Sequence, residues 1–189
     1  REIKVNKKKP LKLIFVSRIS PAKNLDFLLK VLLKVENNAS LTVYGNFENN
    51  DYYNKCLTLK KQMPKNIIVT FKKGVKNKLV TKILSKYDLF VFPTKGENFG
   101  HVILESLSSA VPVLTSNRVF WSQDKYGGLM RLPLSKAAWR SKILEWTKLN
   151  PKTLTNKKIA ALKYANDYFK NKIPLKQNNI LFKSALKDN

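Results

Sequence analysis

Residues 88–116, DLFVFPTKGENFGHVILESLSSAVPVLTS, read as strand, glycine-bearing loop, helix and strand in immediate succession. Asp88 to Phe92 is a short apolar run stopped by Pro93, the pattern of a strand buried on both faces. Thr94 to Asn98 is a polar turn with Gly96 in it, and Asn98 is the expected N-cap of a helix over Phe99–Ala110. Ile103, Leu107 and Ala110 share one helical face, and His101, Glu105 and Ser108 share another. Pro112 ends the helix and Val113-Leu114-Thr115 opens the next strand. Similar alternation upstream predicts strands at Leu11–Val16, Ser40–Gly45 and Asn66–Phe71. The helices between them are expected over 25–36, 49–62 and 76–86, the last packed through Leu79, Ile83 and Leu84. Strands and helices in turn make a Rossmann-like α/β domain, a parallel sheet with helices on both faces.

Further on, Leu129–Leu132 is expected to be a last short strand. Helices are expected over 135–149, 156–169 and 174–187, the second packed through Ile159, Leu162, Ala165 and Phe169. Residues 1–10 are basic and polar and read as a lead-in or linker from a preceding domain; residues 11–189 form the domain, with 135–189 packed on it. With 189 residues there is room for one domain with a substantial core. A single cysteine, Cys56, excludes an internal disulfide and a cysteine zinc cluster, and one histidine, His101, argues against a histidine metal site. No metal is expected. The first strand is not followed by the glycine pattern of dinucleotide oxidoreductases, and no Walker phosphate loop is present.

A helix N-terminus offers unpaired amides and partial positive charge. At Gly100 no side chain keeps a ligand from the backbone, so the start of this helix suits a phosphate or a sugar beside one. Glu97 and Glu105 flank the position as acceptors for sugar or ribose hydroxyls. Arg18 and Lys23 lie in the loop after the first strand, at the carboxyl end where open α/β sheets bind ligands. There they are either a cation pair for a diphosphate or ordinary surface residues. The formal charge is +25, from 37 basic and 12 acidic residues. Only five of the 37 are arginine, and the lysines are spread along the whole chain. That distribution favours a solvated surface, with loose attraction to anionic membrane as the alternative; it does not favour nucleic acid.

Glu97-Asn-Phe-Gly100 followed by Glu105, with Pro93-Thr94 before and Pro112-Val113 after, resembles the E-x7-E signature of family 4 retaining glycosyltransferases of GT-B type (glycosyl transferases group 1). Ser17-Arg-Ile-Ser-Pro-Ala-Lys-Asn24 is similar to the same family's G-R-x-x-x-x-K loop. The resemblance implies the C-terminal, donor-binding half of a GT-B fold, whose acceptor-binding N-terminal domain is not in this sequence. It implies transfer of a hexose from a nucleoside diphosphate sugar, UDP or GDP, with Arg18 and Lys23 on the diphosphate. Glu97 would hold the sugar, and Phe99, Gly100, His101 and Glu105 the rest of the donor. Gly74 and Val75 would approach the base. No cofactor beyond the donor substrate is implied. Bacterial surface polysaccharide or lipopolysaccharide synthesis, in the cytoplasm or at the inner face of the cell membrane, is the setting it suggests. A non-catalytic nucleotide-sugar-binding module and a basic nucleic-acid-binding protein are the alternatives. Two positions depart from the family pattern, Ser17 and Ala110, where glycine is usual. At Ala110 a positive φ would be strained.

Overall fold

The computed structural model describes residues 9–185, with side chains through residue 170. Six strands form one parallel sheet: β1 Leu11–Val16, β2 Ala39–Tyr44, β3 Ile67–Lys72, β4 Leu89–Phe92, β5 Val113–Ser116 and β6 Leu129–Leu132. Their order is β3-β2-β1-β4-β5-β6, and every pair is parallel. β1 therefore neighbours both β2 and β4, and the chain reverses its direction of travel across the sheet there. Such a switch point opens a crevice at the carboxyl ends of the strands. The expected Rossmann-like sheet is what forms, including Leu129–Leu132 as its last strand.

The helices are α1 Leu25–Leu32, α2 Asn50–Lys61, α3 Asn77–Leu84, α4 His101–Ser108, α5 Lys136–Thr147 and α6 Pro151–Ala185. α1 packs with α2 and α5, while α4 packs with α3 and α6, so each face of the sheet is covered. The sequence of the central strands follows from this. β4 (LFVF) and β5 (VLTS) are buried at every position because both faces meet helices. β3, at an edge, alternates, with Ile67 and Val69 inside and Ile68 62% exposed. No helix among the described residues is long and apolar enough to cross a membrane.

Several sequence expectations need correction. α1 ends at Leu32 and not at residue 36, so Val35 is buried from the turn that follows. α3 packs through Leu84 and, in part, Ile83 as expected, but Val80 takes the inward place expected of Leu79, which is 42% exposed. The two helices expected over 156–169 and 174–187 are one, α6, which runs on through Pro174. Its buried side is Ala160, Ala161 and Ala165, and Ile159 (60%), Leu162 (40%) and Phe169 (50%) face out. Ala165 is inside as expected, and close approach explains why the three larger side chains are not. A Cβ on Gly128 would lie 2.7–2.8 Å from backbone atoms of Ala160 and Ala161, so backbone meets backbone and only small side chains fit between. Expectations for residues 1–8 and 186–187, and for side chains beyond 170, lie outside the described residues.

α4 begins at His101, two residues later than the periodicity suggested, and Gly100 in the left-handed region (φ 72) replaces Asn98 as its N-cap residue. Its far end is a Schellman turn. Val111 N–H donates to Ser106 O and Ala110 N–H to Leu107 O, with Ala110 at φ 55. Glycine is the residue for that position, and an L-residue there carries roughly 1–2 kcal/mol of strain. Ala110→Gly is expected to stabilise the domain by about 1 kcal/mol, raising the melting temperature by roughly 2–4 °C in a thermal melt. An unchanged or lower melting temperature would contradict the strain assigned to Ala110.

Candidate functional site

The loop after β1 (residues 17–24) and the loop after β4 (93–100) face each other across the switch point, and hydrogen bonds sew them together. Lys95 N–H donates to Ala22 O (2.8 Å), and Thr94 Oγ1 reaches the same carbonyl (3.3 Å). Asn24, 6% exposed and left-handed at φ 61, gives its side-chain amide to Pro93 O (3.0 Å). Asparagine accepts this conformation better than other side chains do. Asn24 is the N-cap residue of α1, but its side chain does not cap the helix. Buried hydroxyls finish the β4 loop: Thr94 Oγ1 donates to Gly96 O (2.8 Å) and Ser116 Oγ to Thr94 O (2.6 Å). Asn24, Thr94 and Ser116 shape the site without having been named for it.

On this frame Lys23 Nζ meets Glu97 Oε2 at 2.5 Å. Both side chains are largely shielded, 13% and 20% exposed, and the Lys23 ammonium also lies 5.7 Å from the centre of the Phe92 ring. The structure thus joins two predicted residues that stand 74 positions apart. Arg18, in the same loop as Lys23, is turned outward and paired with Glu48 of the β2 loop.

Gly100 closes the β4 loop against α4. A Cβ there would sit 2.9 Å from Glu97 Cγ and 3.1 Å from Ile103 Cδ1, so a side chain would displace Glu97 as well as strain the backbone. The first turn of α4 presents amides that no preceding turn can accept from. Phe99 packs beneath it: its ring lies 5.1 Å from Trp121 and 4.8 Å from His101, and its carbonyl accepts the Trp121 indole N–H at 2.5 Å. Trp121, 2% exposed, is packing and not a free surface for a ligand. His101 is exposed at the head of α4, and Glu105 lies one turn below it. Burial raises the Glu105 carboxyl above its ordinary range, and His101 pulls it partly back.

Gly74 and Val75 follow β3, where Gly74 N–H donates to Asn46 Oδ1 (3.0 Å). Gly45 is more than a plain turn. It marks where the β1 and β2 extensions touch, since a Cβ there would fall 1.9 Å from Ser17 O. The expected site residues therefore divide: Lys23, Glu97, Phe99, Gly100, His101 and Glu105 gather around the switch point and the head of α4, Arg18 shares the Lys23 loop but turns outward to Glu48, and Gly74 and Val75 stand on the neighbouring loop after β3.

Behind the site, Asp26 in the first turn of α1 ties down α2. Burial pushes its carboxyl up, but hydrogen bonds from Lys55, Tyr52 and Lys30 outweigh this and bring it from an ordinary 3.8 to about 2. Tyr52 Oη donates to Asp26 Oδ1 (2.8 Å) and accepts from Asp26 N–H (3.1 Å). The neighbouring Cys56 thiol, fully buried, is pushed up to about 12 by that burial, which leaves it inert.

A sequence model of the family described as Glycosyl transferases group 1 matches residues 1–123. Among curated proteins, an uncharacterized glycosyltransferase of Methanocaldococcus jannaschii is 28% identical over 122 residues, which is 64% of this chain and 28% of that protein. Among solved structures, the catalytic domain of cholesterol-alpha-glucosyltransferase from Helicobacter pylori is 20% identical with a TM-score of 0.70, over 84% of this chain and 99% of that one. Anabaena HepE in complex with UDP and glucose is 18% identical with a TM-score of 0.71, over 84% and 44%. Sucrose-phosphate synthase from Thermosynechococcus elongatus is 14% identical with a TM-score of 0.80, over 96% and 47%. At these identities the structures speak for the fold. The chain spans less than a third of the curated relative and under half of the last two structures.

Proposed function

The chain belongs to the glycosyl transferases group 1 family and has the Rossmann-like fold of a GT-B glycosyltransferase domain, and from these premises we propose that it is the donor-binding half of a retaining hexosyltransferase. The observation that carries the proposal is the shielded Lys23–Glu97 pair at the switch point, beside the α4 N-terminus and Glu105. A cation, a helix end and two hydroxyl acceptors side by side match a diphosphate flanked by a hexose and a ribose. Lys23, with Arg18 swung in from Glu48, stabilises the diphosphate as it leaves. The amides at Phe99, Gly100 and His101 hold phosphate or sugar. Glu97 orients sugar hydroxyls, Glu105 accepts from the ribose, and Gly74 and Val75 border the base. Positive charge for the leaving group comes from side chains and a helix dipole, so the scheme calls for no metal.

In this reading, residues 11–189 form the donor domain, and residues 1–10 lead in from an acceptor-binding domain. A uridine donor is the first choice, because structures of similar fold were solved with UDP and sugar. Polysaccharide or lipopolysaccharide assembly at the inner face of a bacterial membrane fits the family and the +25 charge.

Thermal melts with millimolar UDP, GDP and ADP test this. A ligand at a hundred times its dissociation constant stabilises by about 2.7 kcal/mol, roughly 5–10 °C for a domain of this size. The expected result is a shift with one nucleotide that Glu105→Ala removes. Silence with all three, beside a salt-sensitive shift with a short oligonucleotide, would overturn the reading in favour of a basic nucleic-acid binder.

A further inference from the structure

We propose that Trp121 is a positioning residue for the donor: its indole N–H fixes the Phe99–Gly100 peptide so that the Gly100 N–H is held ready for a phosphate or sugar oxygen. The Phe99 carbonyl accepts the indole N–H at 2.5 Å. A trans peptide is planar, with its carbonyl and its N–H pointing in opposite directions, and none of the described peptide bonds is cis. Binding the Phe99 oxygen toward Trp121 therefore aims the Gly100 N–H away from it. Glycine makes such a lock necessary. Gly100 sits at φ 72, and glycine takes either sign of φ at little cost, so this peptide is free to flip unless its oxygen is held. The Gly100 N–H itself makes no hydrogen bond among the described residues, although Gly100 is buried. Buried amides are nearly always paired. One without a protein acceptor, next to Glu97, fits an acceptor that the ligand supplies.

The loop after β5 is anchored for this task. Trp121 is 2% exposed, with its ring 4.8 Å from Tyr168 and 6.3 Å from Tyr164, both on α6. Tyr164 Oη donates to Ser122 O (2.8 Å), which pins the loop one residue further on. Three residues before Trp121, Arg118 O accepts the Glu97 N–H (3.3 Å), and Val119 forms an isolated parallel bridge with Glu97. One loop thus grips the β4 loop at Glu97 and again at Phe99. Trp121 touches no ligand in this scheme and acts through the peptide it holds. The role rests on the glycosyltransferase reading above, and it adds which amide serves the donor and what aims it.

Trp121→Phe keeps a ring in place and removes the N–H. Trp139→Phe is the control, because that ring is also fully buried, on α5, and gives its N–H to a single carbonyl, Pro133 O (3.0 Å). Both variants of the full chain are expected to melt roughly 3–10 °C lower than wild type. Only Trp121→Phe is expected to weaken binding of UDP-glucose, by about tenfold, since one charge-assisted or sugar hydrogen bond is then misaimed. A loss seen already with UDP assigns the Gly100 N–H to the diphosphate, and a loss confined to UDP-glucose assigns it to the sugar. Amide spectra of wild type give a second readout that needs no variant. Bound nucleotide should move the Gly100 N–H downfield, while the Trp121 indole proton stays bonded and slow to exchange. Unchanged affinity in Trp121→Phe, equal losses in both variants, or a Gly100 amide unmoved by bound UDP-glucose would overturn the positioning role. Wild type binding neither UDP nor UDP-glucose, while the Gly100 amide still shifts in ligand-free Trp121→Phe, would instead overturn the donor reading: Trp121 would set that peptide, but not for a nucleotide.

Discussion

Gly45→Ala is expected to destabilise the domain by about 3–4 kcal/mol and lower its melting temperature by roughly 6–15 °C. The added methyl would stand 1.9 Å from Ser17 O and 3.0 Å from Ser17 C, both backbone atoms that no rotamer change can move. Relief requires the β1 and β2 extensions to part. That breaks Ser17 N–H to Tyr44 O and Ile19 N–H to Asn46 O, and it strains Gly45 N–H to Lys72 O on the other side. The loop displaced is the one bearing Arg18 and Lys23, so nucleotide protection should fall along with stability. Gly96→Ala is the control. It sits in the neighbouring loop with nothing within 4 Å of its added Cβ, and its melting temperature should stay within about 2 °C of wild type. Equal small effects at both glycines would show that the β1 and β2 extensions are not in contact as described.

The contrast between these two glycines shows where sequence reading stops. Local spacing exposed the strands, because β4 and β5 are apolar runs bounded by Pro93 and Pro112, and strand–helix alternation left a parallel sheet as the consistent topology. It also placed Glu97, Gly100 and Glu105 around one helix start, since nine residues of chain fix their geometry. The close approach at Gly45 is not legible in the sequence, because its partner, Ser17, is 28 positions away. The Lys23–Glu97 contact was hidden for the same reason. α6 misled differently: periodicity picks the large apolar side chains, whereas Gly128 brings the backbones so close that alanines fill the interface and Ile159, Leu162 and Phe169 turn outward. For α4 the left-handed Gly100 stands at the N-cap in place of Asn98, and it leaves room for Glu97, whose Cγ would lie 2.9 Å from a Cβ added there.

Lys23→Ala should expose the double duty of the site. In the free protein its ammonium is the shielded partner of Glu97, and removal leaves a carboxylate only 20% exposed without its cation. Losing one member of such a pair costs about 1–3 kcal/mol, less than for a fully buried pair because water still reaches Glu97. In the proposed complex the same ammonium serves the diphosphate, and its loss should weaken UDP binding about 10- to 150-fold, the worth of one or two charge-assisted hydrogen bonds. Glu97→Gln separates the two duties. It releases Lys23 from a competing anion, so UDP, which carries no hexose, should bind as well as or better than in wild type. A UDP-hexose should lose the hydroxyl contacts that the carboxylate supplied. In the double variant the stability loss of Lys23→Ala should be largely recovered, since no unpaired charge remains, while UDP affinity should stay low. Thermal melts and nucleotide titrations on the four proteins form a double-mutant cycle. Additive stabilities would show that the pair is not coupled. UDP affinity unchanged by Lys23→Ala would remove the diphosphate from this loop and place any nucleotide elsewhere on the sheet edge.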